Sequence, residues 1–126
     1  MLNKGLRDQE SQRIENTLKK LMSIVSVPKF WNLEDLNQVE EQLKDFGLNF
    51  RSLFEIESND LIQFLDKLHF DWNQKEQFAD FLIAFSIENS FNFEEKALAI
   101  FNHIQSESKM FSFGINTKIA STKANL

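Results

Sequence analysis

Apolar positions recur along this chain at steps of three and four, and that spacing predicts helices almost from end to end. In residues 6–26 the stripe is Ile14, Leu18, Leu21 and Val25, with Met22 and Ile24 beside it. Toward the N-terminus the same face meets Arg7, Glu10 and Ser11. The first half of this helix is therefore polar all round, which suits a segment that frays or reaches past the body toward a partner. Pro28 closes the helical region, because the residue before a proline disfavours helical geometry.

Asn32 reads as an N-cap, with Asp35 in the place of a capping acid and Trp31 and Leu36 placed as a hydrophobic staple. Leu36, Val39, Leu43 and Phe46 form the next stripe, and Gly47 is suited to a left-handed stop. A short helical turn is expected over 50–56. Ser58 or Asn59 opens a helix whose face is Leu61, Phe64, Leu65 and Leu68. Asp71 and Gln74 form a capping box for the following helix. That helix holds the most apolar stretch, Phe78 to Ile87, where only Asp80 and Ser86 interrupt. Apolar residues run nearly all round it, so it should be central, with Phe81, Leu82 and Phe85 buried. Asn92 with Glu95 is placed to cap a helix bearing Ala97, Leu98, Phe101 and Ile104. After Ser106 the pattern loosens. Phe111, Phe113, Ile115 and Ile119 predict a last short helix, and 120–126 reads as a disordered tail. The expectation is an all-α single domain over 1–119, built from five to six short helices in antiparallel hairpins.

Composition narrows this picture. Three Gly and one Pro in 126 residues exclude a turn-rich β fold and a glycine loop around phosphate. The absence of Cys excludes disulfides, zinc-thiolate sites and a thiol nucleophile. Fourteen Phe with no Tyr suit an apolar core better than a polar recognition surface. The longest apolar run is five residues, Phe81 to Phe85, far below a membrane span. The start of the chain turns polar at once, so no signal peptide is read and a cytoplasmic protein is expected.

Charge is unevenly placed. Residues 1–29 carry six Lys/Arg against three Asp/Glu, net +3; residues 30–100 carry five against fifteen, net −10; residues 101–126 carry three against one, net +2. An acidic middle repels phosphate, so no nucleic-acid groove is expected there. Arg7, Arg13, Lys19 and Lys20 could suggest a membrane-surface helix, but Asp8, Glu10 and Glu15 dilute them and no aromatic accompanies them. No membrane partner is expected.

Few chemistry-bearing patterns stand in the sequence. Asp66 precedes His69 by three residues and Glu107 follows His103 by four, but a bundle metal site needs further Glu and a second copy of the motif. Both His are read as surface or half-buried, and no metal or cofactor is expected. The acid pairs Glu34/Asp35 and Glu94/Glu95 lie in first helical turns, where the helix dipole accounts for them. No serine sits in a nucleophile motif. The chain is read as non-enzymatic.

Glu95-Lys96-Ala97-Leu98-Ala99-Ile100-Phe101-Asn102-His103-Ile104 resembles the second helix of a tetratricopeptide repeat. Ala97 and Phe101 fit that family's small-then-aromatic spacing, and Ile104 departs from it. In the preceding helix Leu82, Phe85 with Ser86, and Asn89 match in part, so the resemblance covers 78–107. It implies a repeat-like helical hairpin that buries its face only against neighbours. The whole layout, with Lys109-Met110-Phe111-Ser112-Phe113, also resembles small uncharacterised bacterial helical proteins, which implies no activity.

The leading expectation is a helical protein–protein interaction module, self-associating as a homodimer through Ile14, Leu18, Leu21 and Val25. One alternative is a small acidic inhibitor or immunity-type protein that masks a basic effector with a face including Glu40, Glu41 and Asp45. Another is a helical protein whose Phe side chains line a small-ligand pocket.

Overall fold

The structure, a computed structural model, describes residues 2–27, 31–89, 91–109 and 112–126, with backbone only at 2–4 and at 6. Among the described residues it is all-helical. Seven α-helices follow in order: α1 (Leu2–Val25), α2 (Leu33–Leu43), α3 (Phe50–Glu55), α4 (Ser58–Lys67), α5 (Trp72–Asn89), α6 (Glu94–Glu107) and α7 (Phe113–Ala124). The expected count was five to six. The additional helix is the turn over 50–56, which closes as α3 because Asn49 and Ser52 cap it reciprocally.

Local chemistry sets most boundaries. The Asn32 side chain accepts from the Asp35 N–H at 2.9 Å, and the Asp35 carboxylate accepts from the Asn32 N–H at 3.0 Å. A 3₁₀ turn, Lys44–Phe46, extends α2 and ends at Gly47, whose φ of +77° is open to glycine at no steric cost. Asp71 and Gln74 cap α5 with bonds of 2.8 and 3.0 Å. The start of α6 differs from the expected Asn92 cap. Phe93 is the N-cap residue without a side-chain cap bond, and its N–H donates to Ser86 Oγ at 3.0 Å. Phe93 is buried against the rings of Phe54, Phe85 and Phe91, and that burial fixes the helix entry in place of a polar cap.

α5 is the hub, packing against α6 on one side and α1 on the other; α6 also packs on α4 and α7, and α1 on α2. Phe81, Leu82 and Phe85 are fully buried in it. Phe85 stacks on Phe50 and Phe91 at 5.2 and 5.1 Å between ring centres and meets Trp31 edge-on at 5.7 Å. The interior is thus ring on ring.

Two expectations are corrected. Ile14, Leu18, Leu21 and Val25, assigned to self-association, are at most 3% exposed and lie in this chain's own core. The stripe that could have met a second protomer meets α5 and α2 instead, because α5 is apolar on more than one side and α1 covers one of them. The segment 120–126, expected to be disordered, is helical as far as Ala124, with Thr122 buried. Small and polar as it is, it is held by its contact with α6.

Candidate functional site

The chemistry-bearing side chains gather where α4, α5 and α6 meet. Lys75 follows the α5 cap and falls on the stripe that carries Phe78, Ala79 and Leu82, so the helix turns a lysine inward. Its side chain is 5% exposed. The ammonium pairs with the Asp66 carboxylate of α4, lies 3.1 Å from His103 Nε2 of α6 and sits 4.3 Å above the Trp72 ring. A lysine ammonium has donors only, so His103 accepts through a bare Nε2 and carries its proton on Nδ1. Burial, and then the charge of Lys75, lower the His103 pKa from its ordinary value, against the opposite pull of Asp66 and Glu107.

Beside this cluster an open groove of about 560 Å³ runs between α4 and α6. Asn59 and Gln63 form one wall and Asn102 and Ser106 the other, over a floor of Ile62 and Ala99. Asp66 and His103 also line it, so the groove and the lysine cluster share two residues. The side chains of Asn59, Gln63, Asn102 and Ser106 are not engaged with any other described residue. The groove is therefore a row of amides and a hydroxyl with open donors and acceptors above a partly apolar floor.

A second polar cluster ties α7 to α5. Lys118 of α7 pairs with Glu76 and with Asp80, the latter at 3.0 Å. Burial works against the Lys118 charge, but the hydrogen bonds and charges of Glu76 and Asp80 outweigh it, and its pKa is raised. Burial also raises the Asp80 pKa, in opposition to Lys118.

The sequence-predicted residues fall differently. Glu40 accepts the Phe50 N–H at 3.1 Å, Glu41 pairs with Lys44, and Asp45 is held by Arg13 at 3.3 Å and Thr17 at 2.7 Å. All three residues of the acidic face assigned to a basic effector are thus engaged within the chain, Glu41 through an exposed pair and Glu40 and Asp45 through contacts to other elements. The rings of Phe50, Phe85, Phe91 and Phe93 stack on one another in the interior. His69 lies past the end of α4 at φ +67°, and Asp66 turns to Lys75 instead. Among the described residues no group of three or more His, Asp or Glu could hold a metal ion, and no helix is long and apolar enough to cross a membrane.

Sequence reasoning missed Lys75. The available signal was its position three and four residues before Phe78 and Ala79, on a face that would otherwise be continuous core. Comparison of the chain with protein families, with curated proteins and with solved structures finds no match in any of the three.

Proposed function

We propose that this chain is a non-enzymatic helical interaction module, acting in the cytoplasm, that holds an extended segment of a protein partner in the groove between α4 and α6. The observation that carries the reading is the pair of polar walls, Asn59 and Gln63 facing Asn102 and Ser106, whose hydrogen-bonding groups no described residue engages. Each wall places its two groups four residues apart, one helical turn, or about 5–6 Å between Cβ atoms. An extended peptide exposes unpaired N–H and C=O groups on a similar repeat, since two residues span about 6.6 Å. From Asn59 to Asp66 the α4 wall runs about 10 Å, enough for about three extended residues. The tightly packed α5–α6 hairpin, with Ala97 and Phe101 buried, supports a repeat-like framework behind the groove.

Selection of random peptides displayed on phage against the immobilised protein tests the reading. The expected result is a related set of peptides whose binding is lost when Gln63→Arg and Asn102→Arg fill the groove and retained in Lys19→Glu on α1. No enrichment, or enrichment indifferent to the groove substitutions, overturns it.

A further inference from the structure

The contact between α7 and the rest of the chain has the properties of a replaceable one. We propose that the surface of α5 and α6 beneath α7 is a docking site for an amphipathic, basic helix of a partner protein, which enters by displacing α7.

α7 is weak as a helix in its own right. Its twelve residues include Gly114 in the first turn and four β-branched residues, Ile115, Thr117, Ile119 and Thr122. These types disfavour a helix interior relative to Ala or Leu. Thr117 and Thr122 bond back to the carbonyls of Phe113 and Lys118, at 2.9 and 2.7 Å, an arrangement that slightly destabilises helices. An isolated helix of this length is marginal in water even with an Ala-rich sequence. The seat therefore holds α7 in shape.

α7 also underfills that seat. It buries only Ile115, Ile119 and Thr122. A cleft of about 270 Å³ opens beside its N-terminal end, between Trp72, Ile104 and Ile115. Another of about 250 Å³ opens beside its C-terminal half, over Ile83, Ile87 and Phe101. To this second cleft α7 contributes Lys118, which turns to Glu76 and Asp80, and the small side chains of Ser121 and Thr122, and Ile87 is left 64% exposed.

Charge selects the occupant. Glu76 and Asp80 stand four residues apart on α5, and both converge on the single cation Lys118. A helix with two cations a turn apart would match both carboxylates. Bulky apolar residues at the spacing of Ile115, Ile119 and Thr122 would fill the clefts that α7 leaves.

The test uses the full chain and a fluorescein-labelled synthetic peptide of residues 112–126 carrying Ser121→Arg and Thr122→Leu, which add the second cation and the missing bulk. The peptide is expected to bind saturably. Binding should tighten by about threefold when Lys118→Ala in the protein raises the open fraction of its own α7. It should weaken when the protein carries Glu76→Gln and Asp80→Asn. A full chain that carries Ser121→Arg and Thr122→Leu in its own α7 should exclude the peptide, which keeps the test decisive if Lys118→Ala does not fold. Hydrogen exchange should show the amides of 114–124 far less protected than those of α5. Equal protection overturns the proposal, and so does a peptide that fails to bind the wild-type chain or ignores all of these variants.

Discussion

Lys75 and Asp66 make opposite demands on stability, and two substitutions separate them. The Lys75 side chain is 5% exposed and the Asp66 side chain 50%. Asp66→Ala leaves a buried ammonium with a neutral imidazole and the Trp72 ring as its remaining partners. Breaking a fully buried pair from one side costs about 3–5 kcal/mol. Asp66 is half in water, so screening lowers its share, and we expect a loss of about 1–2 kcal/mol. Lys75→Met removes the charge and keeps an unbranched apolar stem of similar bulk. It forfeits a cation–π contact of about 0.5–2 kcal/mol and the bond to His103, and it relieves the desolvation of the ammonium. We expect it to lie within about 1 kcal/mol of the wild type. Once Lys75 is methionine no ammonium is left for Asp66 to neutralise, so adding Asp66→Ala should cost nothing further and the double variant should match Lys75→Met alone, giving a coupling of about 1–2 kcal/mol. Urea unfolding followed by circular dichroism at pH 7.5 measures all four proteins, and an unchanged slope shows that the same surface is exposed in each. If Lys75→Met costs more than Asp66→Ala, the lysine is a net source of stability and the argument fails.

Phe85→Ala removes a fully buried ring that contacts Trp31, Phe50, Phe81, Phe91 and Phe93, so a loss of about 3–5 kcal/mol is expected from urea unfolding, and a near-neutral result would contradict the stacked core. His103 has its pKa lowered on folding from the ordinary 6.5, so the unfolded chain binds more protons between the two values. The stability this site contributes is complete above the unfolded value and is lost as pH falls through the folded one. His103→Asn should therefore reduce the fall in stability as pH drops below the ordinary 6.5, and an unchanged profile refutes the assignment. Gly47→Ala meets only the Phe64 ring, at 3.8 Å, so its cost comes from backbone strain at φ +77° and should be about 1–2 kcal/mol; thermal unfolding checks it, and no change would place Gly47 outside the left-handed region.

What was legible in the sequence is what neighbours along the chain decide. Asn32 with Asp35, Asp71 with Gln74, and Gly47 act through bonds and dihedrals within four residues, and the structure has them as read. The stripe Ile14, Leu18, Leu21 and Val25 was legible as buried but not as to its partner, because periodicity gives a face and says nothing of what covers it. Asn92 was misread because the competing force is tertiary: the burial of Phe93 outweighs a local cap. The groove was invisible because α4 and α6 come together across the whole of α5, and an exposed Asn or Gln carries no signal of what faces it.

The uneven charge along the chain has an intramolecular counterpart that bears on both proposals. The basic N-terminal segment sends Arg13 to Asp45, and the basic C-terminal segment sends Lys118 to Glu76 and Asp80. Each of these contacts joins a terminal helix to the acidic middle. Being 28% to 50% exposed, such pairs contribute little to stability, but they orient what they join. The hydrophobic core can hold α1 without help, since its stripe is fully buried. At α7, where the apolar contact is Ile115, Ile119 and Thr122, the ion pairs form a larger part of the attachment. Salt and competing cations therefore act on α7 far more than on α1. The α4–α6 groove lies apart from this balance, because its walls carry amides and a hydroxyl, and its one carboxylate, Asp66, is already neutralised by Lys75. A ligand in that groove should bind almost independently of ionic strength, whereas a helix displacing α7 should bind less well as salt rises.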